Sequence, residues 1–202
     1  VSAVDELRYW TQWTADRMLA SRVACDHITS FIAPSKHIAN RFIDQFALPS
    51  SKLHFLPYGF DRQRLSGRTR ALPSMGPDKP YVFGYIGRHV PAKGIDLLVD
   101  AAVALRKNAA SAGRFKVIIF GRPDGNVTST LQRRAHEAGA ASLFEWRSEY
   151  RNRDIIKDVF DQVDCIVVPS IWDENSPLVI QEAQQARVPV ITSERGGMVR
   201  RC

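Results

Sequence analysis

The sequence predicts an α/β protein built on a doubly wound parallel sheet, and three observations predict it. From residue 81 onward, short runs of Val, Ile and Phe alternate with segments of helical period. The runs lack polar alternation, which suits strands covered on both faces. The connections between them are short, as in strand–helix–strand units that wind a helix onto each side of a sheet.

The elements follow in order. Residues 4–24 carry a helical pattern, and HITSFIAPS after them is a strand candidate. Residues 35–46 place Ile38, Phe42, Ile43 and Phe46 at helical spacing. KLHFLPYGFD is a short strand ended by Pro57 and a turn at Gly59. Helix, strand, helix, strand is too little to close a domain. Residues 62–80 carry Ser, Gly, Pro and basic residues without periodicity, a linker signature. Residues 81–202 then form the sheet domain. YVFGYI is a strand, and residues 95–105 are a helix with Ile95, Leu98, Ala102 and Leu105 on one face. FKVIIF is a strand, 128–138 a helix, SLFEW a strand and 153–162 a helix. DCIVVPS, residues 177–187 and PVIT complete the series as strand, helix, strand. The chain opens on a helix with no strand before it and stops straight after a strand, so a fragment of a longer protein is expected.

Composition narrows the function. Of 202 residues, 45% are hydrophobic and 24% charged, the balance of an ordinary globular chain. No apolar run approaches the roughly 20 residues that span a bilayer, and VSAVDELRYW lacks a signal-peptide pattern. Three scattered cysteines, Cys25, Cys165 and Cys202, indicate neither a disulfide framework nor a metal site. A cytoplasmic home is expected. The net charge of +7 and a pI near 9.6 favour a negatively charged partner: nucleic acid, an anionic membrane surface or a phosphate-bearing small molecule. The basic residues form no long block, being densest at 62–70 and 147–153, and no nucleic-acid module is present, so no nucleic-acid partner is expected.

Ligands of open parallel sheets bind beyond the carboxyl ends of the strands, beside helix N-termini with unpaired N–H groups. Three loops there stand out. In GYIGRHVPAKGID, Arg88 and Lys93 leave the strand towards the next helix, and Gly87 and Gly94 let the backbone come close to a ligand. A guanidinium fork and an ammonium point charge beside a helix N-terminus suit a diphosphate. In FGRPDGN, Gly121 and Gly125 shape a turn. In WDENSPLVIQEA, Ser176 is a good N-cap and Pro177 suits the first helical position. That start puts Glu174 in the loop and Glu182 more than a turn inside the helix, looking out along its side. The two carboxylates then flank one elongated ligand, a sugar at one end and a ribose further along.

These motifs together resemble the family 4 glycosyltransferases of the GT-B fold. The matching features are GR-x4-KG at residues 87–94, E-x7-E from Glu174 to Glu182, the run VDCIVVPSIWDENSPLVIQEA and the following PVITSERGGM. CDHITSFIAPSKHIANRF and KLHFLPYGFD look like the last elements of that family's N-terminal, acceptor-side domain. The resemblance implies three parts: residues 1–61 as the remnant of a second Rossmann-like domain, 62–80 as linker, and 81–202 as the donor-binding domain. It implies a nucleotide-sugar donor, a sugar or lipid-linked acceptor hydroxyl, retention of anomeric configuration, no separate cofactor and no obligatory metal. It assigns the diphosphate to Arg88 and Lys93, the donor sugar to Glu174 and the ribose to Glu182. Gly87, Gly121 and the groups around Ser176, Pro177 and Leu178 approach the donor, and the loop at Glu149 and Tyr150 approaches the base. Peripheral contact with the inner, anionic membrane face is a further expectation.

The sequence departs from the family pattern at Arg187, where glycine is usual. The family's upstream glycine-rich loop and histidine are missing, and His27, His54 and His89 are expected at the surface or at strand ends instead. The chain on its own is therefore expected to bind donor without catalysing. Two other readings remain open: a nucleotide-sugar 2-epimerase, which shares the architecture, and a non-catalytic donor-binding module.

Overall fold

The computed structural model describes residues 3–59, 61, 63–65, 79–108 and 110–199. Most of the expected linker, and much of the basic cluster at 62–70, lies outside the described residues. The chain forms two compact units that divide between Tyr58 and Gly59.

The first unit runs α1 (Ala3–His27), β1 (Phe31–Ala33), α2 (Lys36–Phe46) and β2 (Leu53–Phe55). β1 and β2 pair in parallel, Phe31 opposite Leu53. Ser35 caps α2, its side chain accepting from the Ile38 N–H at 3.3 Å. The last carbonyls of α1, on Cys25 and Asp26, accept from Lys52 Nζ at 3.4 and 3.2 Å, a cation meeting the negative end of a helix. Among the described residues of α1, only Cys25 is buried.

The second unit holds β3 (Tyr81–Ile86), α3 (Ile95–Arg106), β4 (Phe115–Phe120), α4 (Val127–Glu137) and β5 (Phe144–Arg147). It continues with α5 (Ile155–Asp158), β6 (Cys165–Val168), α6 (Leu178–Gln185) and β7 (Val190–Thr192). Five strands pair in parallel in the order β5-β4-β3-β6-β7. β4 shows why its sequence has no alternation. Val117 and Ile119 pack with Ile95, Leu98 and Val99 of α3 and Leu131 of α4, while Ile118 and Phe120 pack with Ile156, Phe160 and Ala183 on the opposite face. Both faces of the sheet are covered, as the apolar runs predict. Gly84 lets β3 and β6 close up, because a Cβ there would lie 2.8 Å from Val163 Cγ1 and 3.0 Å from Ile166 Cδ1.

Two local expectations are corrected. The buried stripe of α3 is Ile95, Leu98, Val99 and Ala102, with Leu105 exposed; the stripe is the i, i+3, i+4, i+7 set. The single helix expected over 153–162 is broken into a 3₁₀ turn at Asn152–Asp154, the four-residue α5 and a second 3₁₀ turn at Phe160–Gln162. Its residues include β-branched Ile155, Ile156 and Val159, no side chain caps it, and Val159 leaves the helical region at φ −126°, ψ −65°. Burial of Ile155, Val159 and Phe160 fixes the segment where helix propensity is weak.

Candidate functional site

β3 is the first strand of the sheet in chain order, with β4 and β5 to one side and β6 and β7 to the other. The winding direction reverses between β3 and β6, so a crevice is expected beyond their carboxyl ends. The loops that follow these two strands meet there. Gly94 closes the first loop at φ +66°, and a Cβ on it would sit 1.9 Å from the Pro169 carbonyl oxygen in the second loop. Only glycine combines that backbone with so close an approach. Ala92 O accepts from the Ile171 and Trp172 N–H groups, each at 3.1 Å.

This contact brings Lys93 to Glu174 across 81 residues of sequence, Nζ donating to Oε1 at 2.5 Å. The Lys93 side chain is 37% exposed and that of Glu174 only 12%. Glu174 Oε1 also accepts from Ser170 Oγ at 2.8 Å. The Glu174 carbonyl accepts from the Gly197 N–H at 2.6 Å, tying the loop after β7 to the same point. The two residues, assigned separately to diphosphate and sugar, therefore form one unit in the free chain.

Arg88 stands apart from that unit. Its guanidinium faces Asp124 at 3.5 Å, with side chains 59% and 51% exposed. Tyr85 Oη donates to the Arg88 carbonyl at 2.8 Å and holds the loop from below. Burial pushes the Tyr85 phenol well above its ordinary range, with the Glu174 and Asp96 carboxylates adding to the effect.

His89, expected at the surface or at a strand end, lies three residues beyond β3 and is buried. Its ring nitrogen Nδ1 shares a 2.8 Å hydrogen bond with Thr128 Oγ1, and its N–H donates to Arg122 O at 3.0 Å. It thereby pins the loop after β3 to the loop after β4 and to α4. Burial lowers its pKa, a nearby Phe120 carbonyl partly offsetting that. An amphipathic ring with one polar partner packs readily between Tyr85 and Trp146.

Gly121 is buried, and a Cβ on it would lie 1.9 Å from the Gly87 carbonyl oxygen, so its first duty is to let two loops touch. Gly87, Arg88, Gly121, Arg122, Glu149 and Tyr150 are among the residues lining a cavity of about 530 Å³. A second cavity of about 550 Å³ shares Glu149 and Tyr150 and continues past Arg147 and Ser148 to Lys157 and Asp158. The sequence-predicted residues thus fall into two groups. Gly87, Arg88, Gly121 and Tyr150 line a cavity, while Lys93 and Glu174 form the cluster between β3 and β6.

The α6 end differs from expectation. The helix begins at Leu178 with Pro177 in the capping position and no side-chain cap. Ser176 is buried, and its Oγ has no hydrogen-bond partner. The first amides of α6 are therefore left without a cap from Ser176. Glu174 lies in the loop, as expected. Glu182 is not an outward-looking side chain: it is 8% exposed. Glu182 is buried together with Ile180 and Ala183, the other buried residues of α6.

Sequence reasoning missed Ser170 and Ser193. Ser170 is fully buried, and its carbonyl accepts from Ser193 Oγ. The available signal was a small hydroxyl residue directly after an apolar strand, at the carboxyl edge of a parallel sheet. Among the described residues, no three His, Cys, Asp or Glu side chains gather to hold a metal ion, and no helix is long and apolar enough to cross a membrane.

Comparison with known proteins agrees with this fold. Among curated relatives, the D-inositol 3-phosphate glycosyltransferase of Salinispora arenicola is 32% identical over 151 residues, covering 72% of this chain and 33% of its own. That of Actinosynnema mirum is 28% identical over 193 residues, covering 91% of this chain and 42% of its own. The chain thus spans well under half the length of these relatives. Among solved structures, the lipopolysaccharide outer core galactosyltransferase WaaB superposes with a TM-score of 0.67 at 18% identity, over 83% of this chain and 44% of that one. Anabaena HepE in complex with UDP and glucose gives 0.66 at 19%, over 85% and 46%. The fold is that of such GT-B glycosyltransferases. Residues 73–201 match the model of one family, described as glycosyl transferases group 1. The matched stretch takes in all five strands of the parallel sheet, and the chain belongs to the group 1 glycosyl transferases.

Proposed function

We propose that this chain is the donor-binding part of a retaining, family 4 type transferase. The full enzyme moves a sugar from a nucleoside diphosphate sugar to an acceptor hydroxyl, on a sugar or lipid-linked acceptor, with retention of configuration. The observation that carries this reading is the Lys93–Glu174 pair at the reversal point of the sheet. As the sugar–phosphate bond breaks, negative charge grows on the departing diphosphate and positive charge on the sugar ring. Lys93 and Arg88 meet the first, and Glu174 meets the sugar at the adjacent position. Lys93 and Glu174, fixed in advance and partly out of water, stabilise that separation with little reorganisation, while Arg88 swings in from the surface. The uncapped amides of α6 add a positive helix end on the same side. Lys93 exchanges its carboxylate for a phosphate oxygen when donor binds, which frees Glu174 towards the sugar hydroxyls. Glu182 serves the ribose as a desolvated acceptor, and the cavity at Glu149 and Tyr150 takes the base. The positive charge comes from these side chains, so the reading needs no metal and no separate cofactor. The expected setting is the cytoplasm, with peripheral contact at an anionic membrane face.

Calorimetric titration with UDP-, GDP-, ADP- and TDP-glucose tests the reading. One of them should bind, and Glu174→Gln should weaken it by roughly 1.5–3 kcal/mol, the scale of a hydrogen bond to a charged group. Binding that is indifferent to Glu174 overturns the assignment.

A further inference from the structure

The loop after β6 holds a residue that no expectation above assigns. Ser170 is fully buried, and its Oγ lies 2.8 Å from Glu174 Oε1 and 3.0 Å from Ala92 O. A hydroxyl has one proton to give. Ala92 O already accepts two backbone N–H groups, from Ile171 and Trp172. The carboxylate is the closer and the charged acceptor, and hydrogen bonds to charged groups are the stronger ones. The proton of Ser170 therefore belongs to Glu174. The Ser170 backbone is in turn fixed from just past β7, where Ser193 Oγ donates to its carbonyl and the Ser193 N–H donates to Val168 O at 3.2 Å.

From this geometry we infer that Ser170 is a positioning residue for Glu174, an assignment that rests on the donor-site reading. Glu174 Oε1 is shared between Lys93 Nζ and Ser170 Oγ. When a diphosphate draws Lys93 away, Ser170 is the partner that remains. It keeps the carboxylate aimed at the sugar instead of letting it follow the ammonium or turn to water. Ser193 sets the height of Ser170 and so links the end of β7 to the same carboxylate. A side chain locked by such a partner loses less freedom on binding, which is how a supporting residue raises affinity without touching the ligand.

The test is a double-mutant cycle read by calorimetry with UDP-glucose as the probe. Ser170→Ala should weaken UDP-glucose binding about tenfold, the effect of one lost hydrogen bond to a charge. The same substitution in a Glu174→Ala chain should change binding by less than about twofold, because its target is gone. A serine that merely supported the loop would weaken binding equally in both backgrounds, and that result overturns the inference. So does a Ser170→Ala chain that binds as tightly as the parent. Failure of the donor-site reading looks different: Glu174→Ala alone then leaves donor binding unchanged, or the parent chain binds none of UDP-, GDP-, ADP- and TDP-glucose, and the role of Ser170 falls with it. Should another of the four bind in place of UDP-glucose, the same cycle is read with that donor.

Discussion

Two cation–carboxylate pairs leave the same loop of this protein and behave as opposites. Lys93 and Glu174 meet at 2.5 Å with the carboxylate 12% exposed, held by Ser170 and by the loops after β6 and β7. Arg88 and Asp124 meet at 3.5 Å with both side chains more than half exposed. In water-screened positions a pair of the second kind contributes about 0–1 kcal/mol. The first is partly desolvated and cross-linked by a third residue, so it is part of the fold as well as of the site. One cation is therefore held in place and the other is free to swing. Lys93 must trade a partner to bind a phosphate, whereas Arg88 has little to give up.

The harshest way to break the comparison is at Gly94, which brings the two loops into backbone contact. Gly94→Ala puts a Cβ into the Pro169 carbonyl at a positive φ. It should cost about 3 kcal/mol or more of stability in denaturant unfolding and separate Lys93 from Glu174. A loss under about 1 kcal/mol would mean the loops are not locked together. Arg88→Ala and Lys93→Ala sharpen it. Both should weaken UDP binding by on the order of 1–3 kcal/mol, with Lys93→Ala at the lower end because the parent must first separate Lys93 from Glu174. On stability they should part company. Arg88→Ala should stay within about 0.5 kcal/mol of the parent, while Lys93→Ala leaves a half-buried carboxylate without its cation and should cost about 1–2 kcal/mol. Equal unfolding midpoints would erase the distinction between the pairs. The smallest effect lies outside both. Arg187 closes α6 at φ +58°, where glycine is at ease, and the Val188 N–H donates to Ala183 O at 2.8 Å. Arg187→Gly should raise stability by about 1 kcal/mol, seen as a higher melting temperature with UDP binding unchanged.

Much of the fold was legible because it follows from local pattern. FKVIIF has no polar alternation, and five of the six residues of β4 are buried, on two faces. The helical spacing over 35–46 marked α2, and Ser35 caps it. Legibility failed where long-range packing decides. Ser176 and Pro177 make a good helix start on paper, yet α6 begins one residue later and Ser176 turns into the interior. The apolar period over 153–162 is that of a helix, but β-branched residues without a cap yield to the demands of the core. For the site, the residue types at Arg88, Lys93 and Glu174 could be read from spacing. The pairing of Lys93 with Glu174 could not, since it depends on the three crossovers through α3, α4 and α5 that bring positions 81 apart together. His89 and Ser170 look like ordinary loop residues until burial and partners are known.

The most direct test of the central claim is a crystal structure of this chain with UDP bound. A diphosphate oxygen is expected within about 2.7–3.2 Å of Lys93 Nζ, with Arg88 turned from Asp124 towards the same group and Glu174 still held by Ser170. A diphosphate bound elsewhere on the sheet edge, with Lys93 still on Glu174, would contradict it.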